Sequence, residues 1–150
     1  KDGELYLTER IKDLFKTSNG KYIAPQMIES LLLVDKFVDQ IAVIADQRKF
    51  VSALIVPEFN TLEKWARDKG IFYNSLEELC ANQEINDMMK ERIDTLLQGL
   101  ANYEKIKRFT LLPHHFAMET GELTNTLKMR RPVIYKKYKD IIDKMYEENQ

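Results

Sequence analysis

The chain is short of the residues that mark several protein classes. Of its 150 residues, one is cysteine, two are histidine, four are proline and five are glycine. A single cysteine excludes an internal disulfide framework and points to a reducing compartment. The two histidines, His114 and His115, are adjacent, and Cys80 stands alone on a helix-prone stretch. A zinc site needs three or four ligands at suitable spacings, so no metal site is expected and Cys80 is expected to pack as a small apolar residue. Charge of one sign is also lacking: 23 basic residues face 24 acidic ones, for a net charge of −1. That balance excludes the basic surplus of a dedicated nucleic-acid binder. A 10% aromatic content with almost no net charge excludes a disordered composition. The longest apolar run is five residues, Ile41 to Ala45, against the roughly 20 that a membrane-spanning helix needs. No charged-then-apolar leader opens the sequence. Walker-type phosphate loops, Gly-x-Gly-x-x-Gly turns and Gly-x-Ser-x-Gly elbows are absent too, so no self-sufficient active site is visible. These absences lead to the expectation of a soluble, globular, cytoplasmic protein.

What is present suffices for one core, with 44% of residues hydrophobic. Leu5–Thr8 and Leu14–Thr17 read as two short paired strands, followed by the turn-prone Ser18-Asn19-Gly20-Lys21. Lys1-Asp2-Gly3 runs straight into the first of these, as in a piece cut from something longer. Pro25 opens a helix to about Leu33, with Met27, Ile28, Leu31 and Leu32 on its apolar face. Ile41–Ala45 and Phe50–Val56 are short and rich in β-branched residues, which predicts strands joined through Asp46-Gln47-Arg48-Lys49. Asn60 with Glu63, and Ser75 with Glu78, have capping-box spacing ahead of two helices, the first stopped by Gly70. Ile85, Met89, Ile93, Leu96, Leu97 and Leu100 mark a longer helix. Phe109–Leu112 predicts a last strand, a loop covers Pro113 to about Leu127, and Pro132 opens one final helix with Val133, Ile134, Tyr138, Ile141, Ile142 and Met145 on its face. The expected fold is α+β: a small N-terminal β-hairpin, then a compact, roughly three-stranded sheet packed with helices.

Two segments mix glycine, threonine and cations in loops. One is Glu9-Arg10-Ile11-Lys12-Asp13 followed by Ser18-Asn19-Gly20-Lys21-Tyr22-Ile23-Ala24-Pro25; the other is Gly121-Glu122-Leu123-Thr124-Asn125-Thr126-Leu127-Lys128-Met129-Arg130-Arg131. A lysine in such a loop can ligate phosphate, being a compact point charge with three donors. By residue type alone, the reading of Lys12, Lys16 and Lys128 as solvated surface charges prevails.

The first segment resembles the linker and first hairpin of the C-terminal domain of acyl-adenylate-forming enzymes, with their (Asp/Glu)-Arg-x-(Asp/Lys)-Asp pattern. The second is similar to that family's lysine motif in its long-chain form, Leu-Thr-x-Thr-Leu-Lys, so the likeness is to long-chain fatty acid–CoA ligases over essentially all 150 residues. The chain lacks the Pro-Lys-Thr-x-x-Gly-Lys form of many members, Asn125 stands where long-chain relatives often carry proline, and Lys12 stands where many carry a hinge aspartate.

The resemblance implies a single mobile, lysine-bearing C-terminal domain over 1–150, with hinge and hairpin in 1–22, the core in 23–150 and a large N-terminal ATP- and acyl-binding domain elsewhere. It implies MgATP-dependent activation of a fatty acid to acyl-AMP, then thioester formation with CoA, with ATP, Mg2+ and CoA as substrates or cofactor of the intact enzyme and none held tightly by this piece, which alone would be inactive. Lys128 would be the catalytic lysine of adenylation and Lys12 the hinge. Arg10 would be a nucleotide or phosphate contact, and Ser18, Asn19, Gly20 and Lys21 the loop beside the CoA pantetheine. Arg130 and Arg131 stand open between CoA-phosphate contacts and a solvated helix start. Expected partners are the N-terminal domain, fatty acid, ATP and CoA, with no nucleic acid and with room for peripheral membrane contact of the full enzyme. Two alternatives remain open. One is an acyl–carrier-protein synthetase or another acyl-adenylating enzyme. The other is a stand-alone binding module using Lys128, Arg130, Arg131, Lys136, Lys137, Lys139 and Lys144, a cluster diluted by Asp140, Asp143, Glu147 and Glu148.

Overall fold

A computed structural model describes residues 14–147. Within them lie a two-stranded hairpin, a three-stranded sheet and six α-helices. The hairpin pairs β1 (Phe15–Lys16) with β2 (Tyr22–Ile23), antiparallel. The sequence pairs 14–17 with 5–8, but the latter lies outside the described residues; among those described, the partner is β2. Ala24 precedes α1 (Pro25–Leu33), where Pro25 sits in the first turn and costs no hydrogen bond. Pro25, Ile28, Glu29 and Leu32 are its buried residues, at helical spacing, while Met27 faces outward at 38% exposure.

Two strands of seven residues, β3 (Val38–Ile44) and β4 (Val51–Pro57), form an antiparallel pair in which Val43 faces Ala53. Strand β5 (Ile106–Leu111) joins β4 in parallel, giving the order β3-β4-β5. Alternate residues go to opposite faces. Ile41, Val43, Ala53 and Ile55 enter one apolar cluster with α1 and the helices that follow β4, whereas Ala42, Ile44, Leu54 and Val56 enter a second with the C-terminal helices. A sheet buried on both faces has no polar alternation, which is why both strands read as continuous apolar runs.

Helix α2 (Phe59–Lys69) is capped by Glu58, whose side chain accepts from the Thr61 N–H, and not by Asn60 as its spacing to Glu63 predicts. The carboxylate of Glu58 reaches the first free N–H groups from one residue before the helix, so Asn60 falls inside it. Gly70 ends α2 with φ 73°, and α3 (Leu76–Ala81) starts at Ser75, whose hydroxyl accepts from the Glu78 N–H. Helix α4 (Gln83–Leu96) is capped by Asn82 and stops at Leu96, so Leu97 packs in the core from just beyond it. The predicted last helix is two: α5 (Arg131–Lys137) and α6 (Lys139–Met145), parted at Tyr138 with φ −104° and ψ 22°. The break leaves Tyr138 buried with its hydroxyl 2.7 Å from a Glu122 carboxylate oxygen. Cys80 is buried, and burial followed by the charge of Glu77 pushes its thiol up to about 11, which leaves no thiolate nucleophile at neutral pH.

Strand β3 is an edge, and side chains cover it. The Val43 N–H donates to Glu29 Oε2 at 2.8 Å, and the Val43 carbonyl accepts from the Tyr135 hydroxyl at 2.8 Å. Lower down, the Gln40 amide accepts from the Phe116 N–H at 2.7 Å and donates to the Phe116 carbonyl at 3.3 Å. The two Val43 contacts occupy edge backbone groups that would otherwise invite another strand, whereas the Gln40 side chain ties β3 to the Phe116 backbone.

Candidate functional site

Lys128 lies near the tip of a tight turn closed by an antiparallel bridge between Leu123 and Met129. The Thr124 N–H donates to the Lys128 carbonyl at 2.8 Å, and the Lys128 N–H donates to the Thr124 hydroxyl at 3.1 Å. The Thr124 and Thr126 hydroxyls lie 3.0 Å apart. Both threonines of Leu-Thr-x-Thr-Leu-Lys therefore build the turn. The Lys128 side chain is exposed, and among the described residues its ammonium has no ion-pair partner.

The residue before it, Leu127, has φ 65° and is 66% exposed. The left-handed region costs a non-glycine residue about 1–2 kcal/mol. The Pro-Lys-Thr-x-x-Gly-Lys form of the lysine motif, which this chain lacks, carries glycine before its lysine, the residue type that adopts positive φ at least cost. Leu127→Gly is expected to hold or raise stability by up to about 1 kcal/mol, since strain relief exceeds the added unfolded-state entropy. Leu127→Val should lower stability by more than 1 kcal/mol, roughly, because a β-branched side chain resists positive φ. Chemical denaturation of both variants checks this, and equal stabilities would remove the backbone argument.

A buried carboxylate anchors each flank of the lysine turn. On the near side Glu122, fully buried, accepts from the Thr120 hydroxyl, the Tyr138 hydroxyl at 2.7 Å, the Ala117 N–H at 3.1 Å and, at 3.2 Å, the Lys137 ammonium. Burial alone would raise its pKa, but these donors together outweigh it and hold the carboxyl below the usual range. Burial, and then Glu122 itself, raises Tyr138, which stays a neutral donor. The backbone continues the clasp, with the Arg130 N–H donating to the Glu122 carbonyl at 2.8 Å.

A group whose folded pKa is depressed contributes stability above its unfolded value, and that contribution disappears as pH falls through the folded one. Glu122→Gln should therefore cost about 2–3 kcal/mol at neutral pH, the worth of a charged hydrogen-bond set. The gap to wild type should close as pH drops below about 4, near the unfolded carboxyl pKa. Urea unfolding at several pH values measures it; a gap independent of pH would show that the charge is not what matters.

On the far side, Arg131 is not a solvated helix start. Its guanidinium makes a two-pronged pair with Glu29, Nη1 to Oε2 at 2.7 Å and Nη2 to Oε1 at 2.8 Å. The side chains are 19% and 7% exposed. Burial opposes the arginine charge, yet the Glu29 hydrogen bonds and charge leave its pKa raised. Tyr135, four residues on, is pushed up to about 12, chiefly by burial. Arg130 is exposed. The Glu29 partner was not readable from sequence, because an acid 102 positions away leaves no local signal.

The other predicted loop lies between β1 and β2. The Thr17 hydroxyl, nearly buried, donates to the Asn19 side chain at 2.6 Å and accepts from the Lys21 N–H at 3.1 Å. Gly20 has φ 87°, and a Cβ placed there would meet no atom within 4 Å, so backbone conformation and not local crowding demands glycine. Ser18, Asn19, Gly20 and Lys21 are all exposed. The loop is tied to the β3–β4 turn, with the Ser18 N–H donating to the Arg48 carbonyl at 2.9 Å and the Gln47 N–H to the Lys16 carbonyl at 2.8 Å. Beside it lies a cleft of about 230 Å³ that includes Asn19, Lys49, Tyr103, Lys105 and Lys107, and the Lys21 ammonium sits 5.3 Å over the Tyr103 ring.

The other sequence candidates fall elsewhere. Arg10 and Lys12 lie outside the described residues. His115 pairs with Asp39 at 2.7 Å, while His114 lies 3.5 Å from the Tyr138 hydroxyl, so the two rings have different neighbours. Among the described residues, no three His, Cys, Asp or Glu side chains come together as a metal site would require. Three of the seven cations of the C-terminal cluster are answered internally: Lys137 by Glu122, Lys139 by Asp143 at 2.7 Å, and Arg131 by Glu29. Among the described residues, no helix is long and apolar enough to cross a membrane.

The described residues thus form a small α+β unit with an exposed lysine on a clasped turn and a glycine-bearing hairpin loop beside a cationic cleft. Two solved structures share that fold. The adenylation domain of a Mycobacterium chelonae carboxylate reductase matches with a TM-score of 0.74 at 22% identity, over 91% of this chain and 20% of that one. The corresponding domain from Segniliparus rugosus, in complex with AMP and a co-purified carboxylic acid, matches with a TM-score of 0.74 at 21% identity, over the same shares. Residues 12–150 match the AMP-binding enzyme C-terminal domain family, and the chain belongs to it. Among curated relatives, human Long-chain-fatty-acid--CoA ligase 1 is 35% identical over 148 residues. Long chain acyl-CoA synthetase 7, peroxisomal, of Arabidopsis thaliana is 32% identical over 149 residues. Both matches take in 97% of this chain but 21% of the relative, so the chain spans about a fifth of the length of these proteins. They favour neither the carrier-protein alternative nor the stand-alone module.

Proposed function

We propose that residues 1–150 are the mobile, lysine-bearing C-terminal domain of a long-chain fatty acid–CoA ligase, with hinge and hairpin in 1–22 and core in 23–150. The observation that carries this is the exposed, unpaired Lys128 on a turn pinned from both sides, combined with relatives named as fatty-acid–CoA ligases. In the first half-reaction a fatty acid carboxylate attacks the α-phosphate of ATP, giving acyl-AMP and pyrophosphate. Lys128 lies against the α-phosphate and the acyl oxygen, where negative charge gathers, and stabilises it from a fixed position. In the second, the CoA thiolate attacks the acyl carbonyl and AMP leaves with the bond electrons. The Ser18–Lys21 loop then borders the pantetheine arm, with Gly20 providing a turn free of Cβ.

The cleft beside that loop adds Lys105 and Lys107 as contacts for the CoA phosphates, and Arg131, engaged with Glu29, is assigned none of them. Lys12 serves as the pivot between the two orientations and Arg10 as a nucleotide contact, since few residues suffice to absorb a domain rotation. Magnesium accompanies ATP on the larger domain; the described residues offer no carboxylate cluster for it. The working site is cytoplasmic, with peripheral membrane contact through the full enzyme.

The experiment is an assay of the full-length protein with a long-chain fatty acid, ATP and CoA, following AMP and acyl-CoA. Stoichiometric formation of both is expected, with acyl-AMP accumulating when CoA is withheld. The 150-residue chain alone is expected to give no turnover, and turnover from it would overturn the division of the site between two domains.

A further inference from the structure

The Glu29–Arg131 pair sits where four parts of the fold meet. Arg131 follows Lys128 by three residues and opens α5. Glu29 belongs to α1, and the Oε2 that faces Arg131 also accepts the Val43 N–H of β3. The Arg131 guanidinium lies 5.6 Å over the ring of Phe15 in β1, and that ring meets Tyr135 of α5 edge-on at 6.3 Å. Tyr135 closes the figure by donating to the Val43 carbonyl. Phe15 leads directly into Lys16, Thr17 and the Ser18–Lys21 loop. Among the described residues, the lysine turn and this loop make no hydrogen bond to each other. Their mutual placement therefore passes through this junction and the sheet behind it, with a second, more exposed route from the loop through Arg48 to Asp143 of α6.

We infer that Arg131, held by Glu29, is a positioning residue that sets the Lys128 turn and the Ser18–Lys21 loop in a common frame. The inference rests on the proposed roles of those two loops. The bidentate fork fixes both the direction and the distance of the α5 start, which a single-point cation would not do. Carboxylate and guanidinium are both largely removed from water, so neither can swing away without leaving an unpaired charge. Lys128 serves one half-reaction and Gly20 the other, but Arg131 underlies both.

The test is single-turnover kinetics on the full-length protein, with each half-reaction measured separately: fatty acid plus ATP for acyl-AMP, and supplied acyl-AMP plus CoA for the thioester. Arg131→Gln and Glu29→Gln should keep the full burst amplitude per total enzyme while lowering both rate constants by about 10–100-fold, the usual consequence of a displacement near 1 Å. Phe15→Leu keeps the ion pair and removes the ring beneath it; it should show the same pattern at about 3–10-fold, and it serves if the charge variants fail to fold. A purely structural role would instead reduce amplitude and leave the rate constants of the surviving molecules intact, which would overturn the inference. Slowing of only one half-reaction would overturn it as well. Lys128→Ala runs as the control: if it slows acyl-AMP formation while the Arg131 and Phe15 variants do not, this inference alone fails. If Lys128→Ala leaves that step untouched, the underlying reading fails and the inference falls with it.

Discussion

Lys128→Ala in the full-length protein is expected to slow acyl-AMP formation by about 10²–10³-fold, the cost of removing one preorganised charge from a reacting oxyanion. Thioester formation from supplied acyl-AMP should stay within about threefold of wild type, because the rotated domain then turns the Ser18–Lys21 loop, and not Lys128, toward the reacting atoms in the proposed cycle. The asymmetry follows from the turn. Lys128 has no partner among the described residues, so its truncation unpairs nothing within the domain. The clasp at Glu122 and Arg131 and the Thr124 hydrogen bonds hold the backbone whatever side chain stands at 128. Separate measurement of the two half-reactions decides the matter, and equal loss in both would remove Lys128 from the adenylation step.

Gly20→Val is expected to do the reverse, slowing thioester formation by about 10²-fold and adenylation little. At φ 87° a valine leaves the allowed region, so the peptide must flip or the Thr17–Lys21 hydrogen bonds must break. Either change moves the loop backbone that we propose borders the acceptor thiol. The strain, about 1–3 kcal/mol, stays within the hairpin because, among the described residues, the added Cβ meets no atom within 4 Å beyond its chain neighbours. Gly20→Ala should fall between wild type and valine. A thioester step unmoved by valine would take the loop out of the acceptor site.

The sheet was legible in the sequence because each signal was local. Ile41–Ala45 and Phe50–Val56 are β-branched apolar runs, and they lie in β3 and β4 with small changes at their ends. Gly70 and Ser75 end and start helices where their chemistry says they should. Local spacing failed where a competitor stood nearby: Glu58 took the cap predicted for Asn60, and Tyr138 broke the last helix to reach Glu122. The lysine turn was visible as a motif, whereas its geometry was not. Nothing in Leu-Thr-x-Thr-Leu-Lys announces a left-handed leucine, and nothing near Arg131 announces Glu29, since a contact across 102 positions is a property of the fold and not of any window of sequence.

That separation bears on how the chain is made. A nascent chain on the ribosome that has released residues up to 130 already contains every strand of the sheet. It lacks the guanidinium that balances Glu29 and the hydroxyl that covers the Val43 carbonyl, both of which come from α5. Its β3 flank is thus half covered, with the Glu29 carboxylate on the Val43 N–H but without its guanidinium and with the Val43 carbonyl open, until residues 131–135 emerge. A stop codon just before Arg131 would yield no trimmed domain but a strand-exposing species prone to self-association and a substrate for chaperones and proteases.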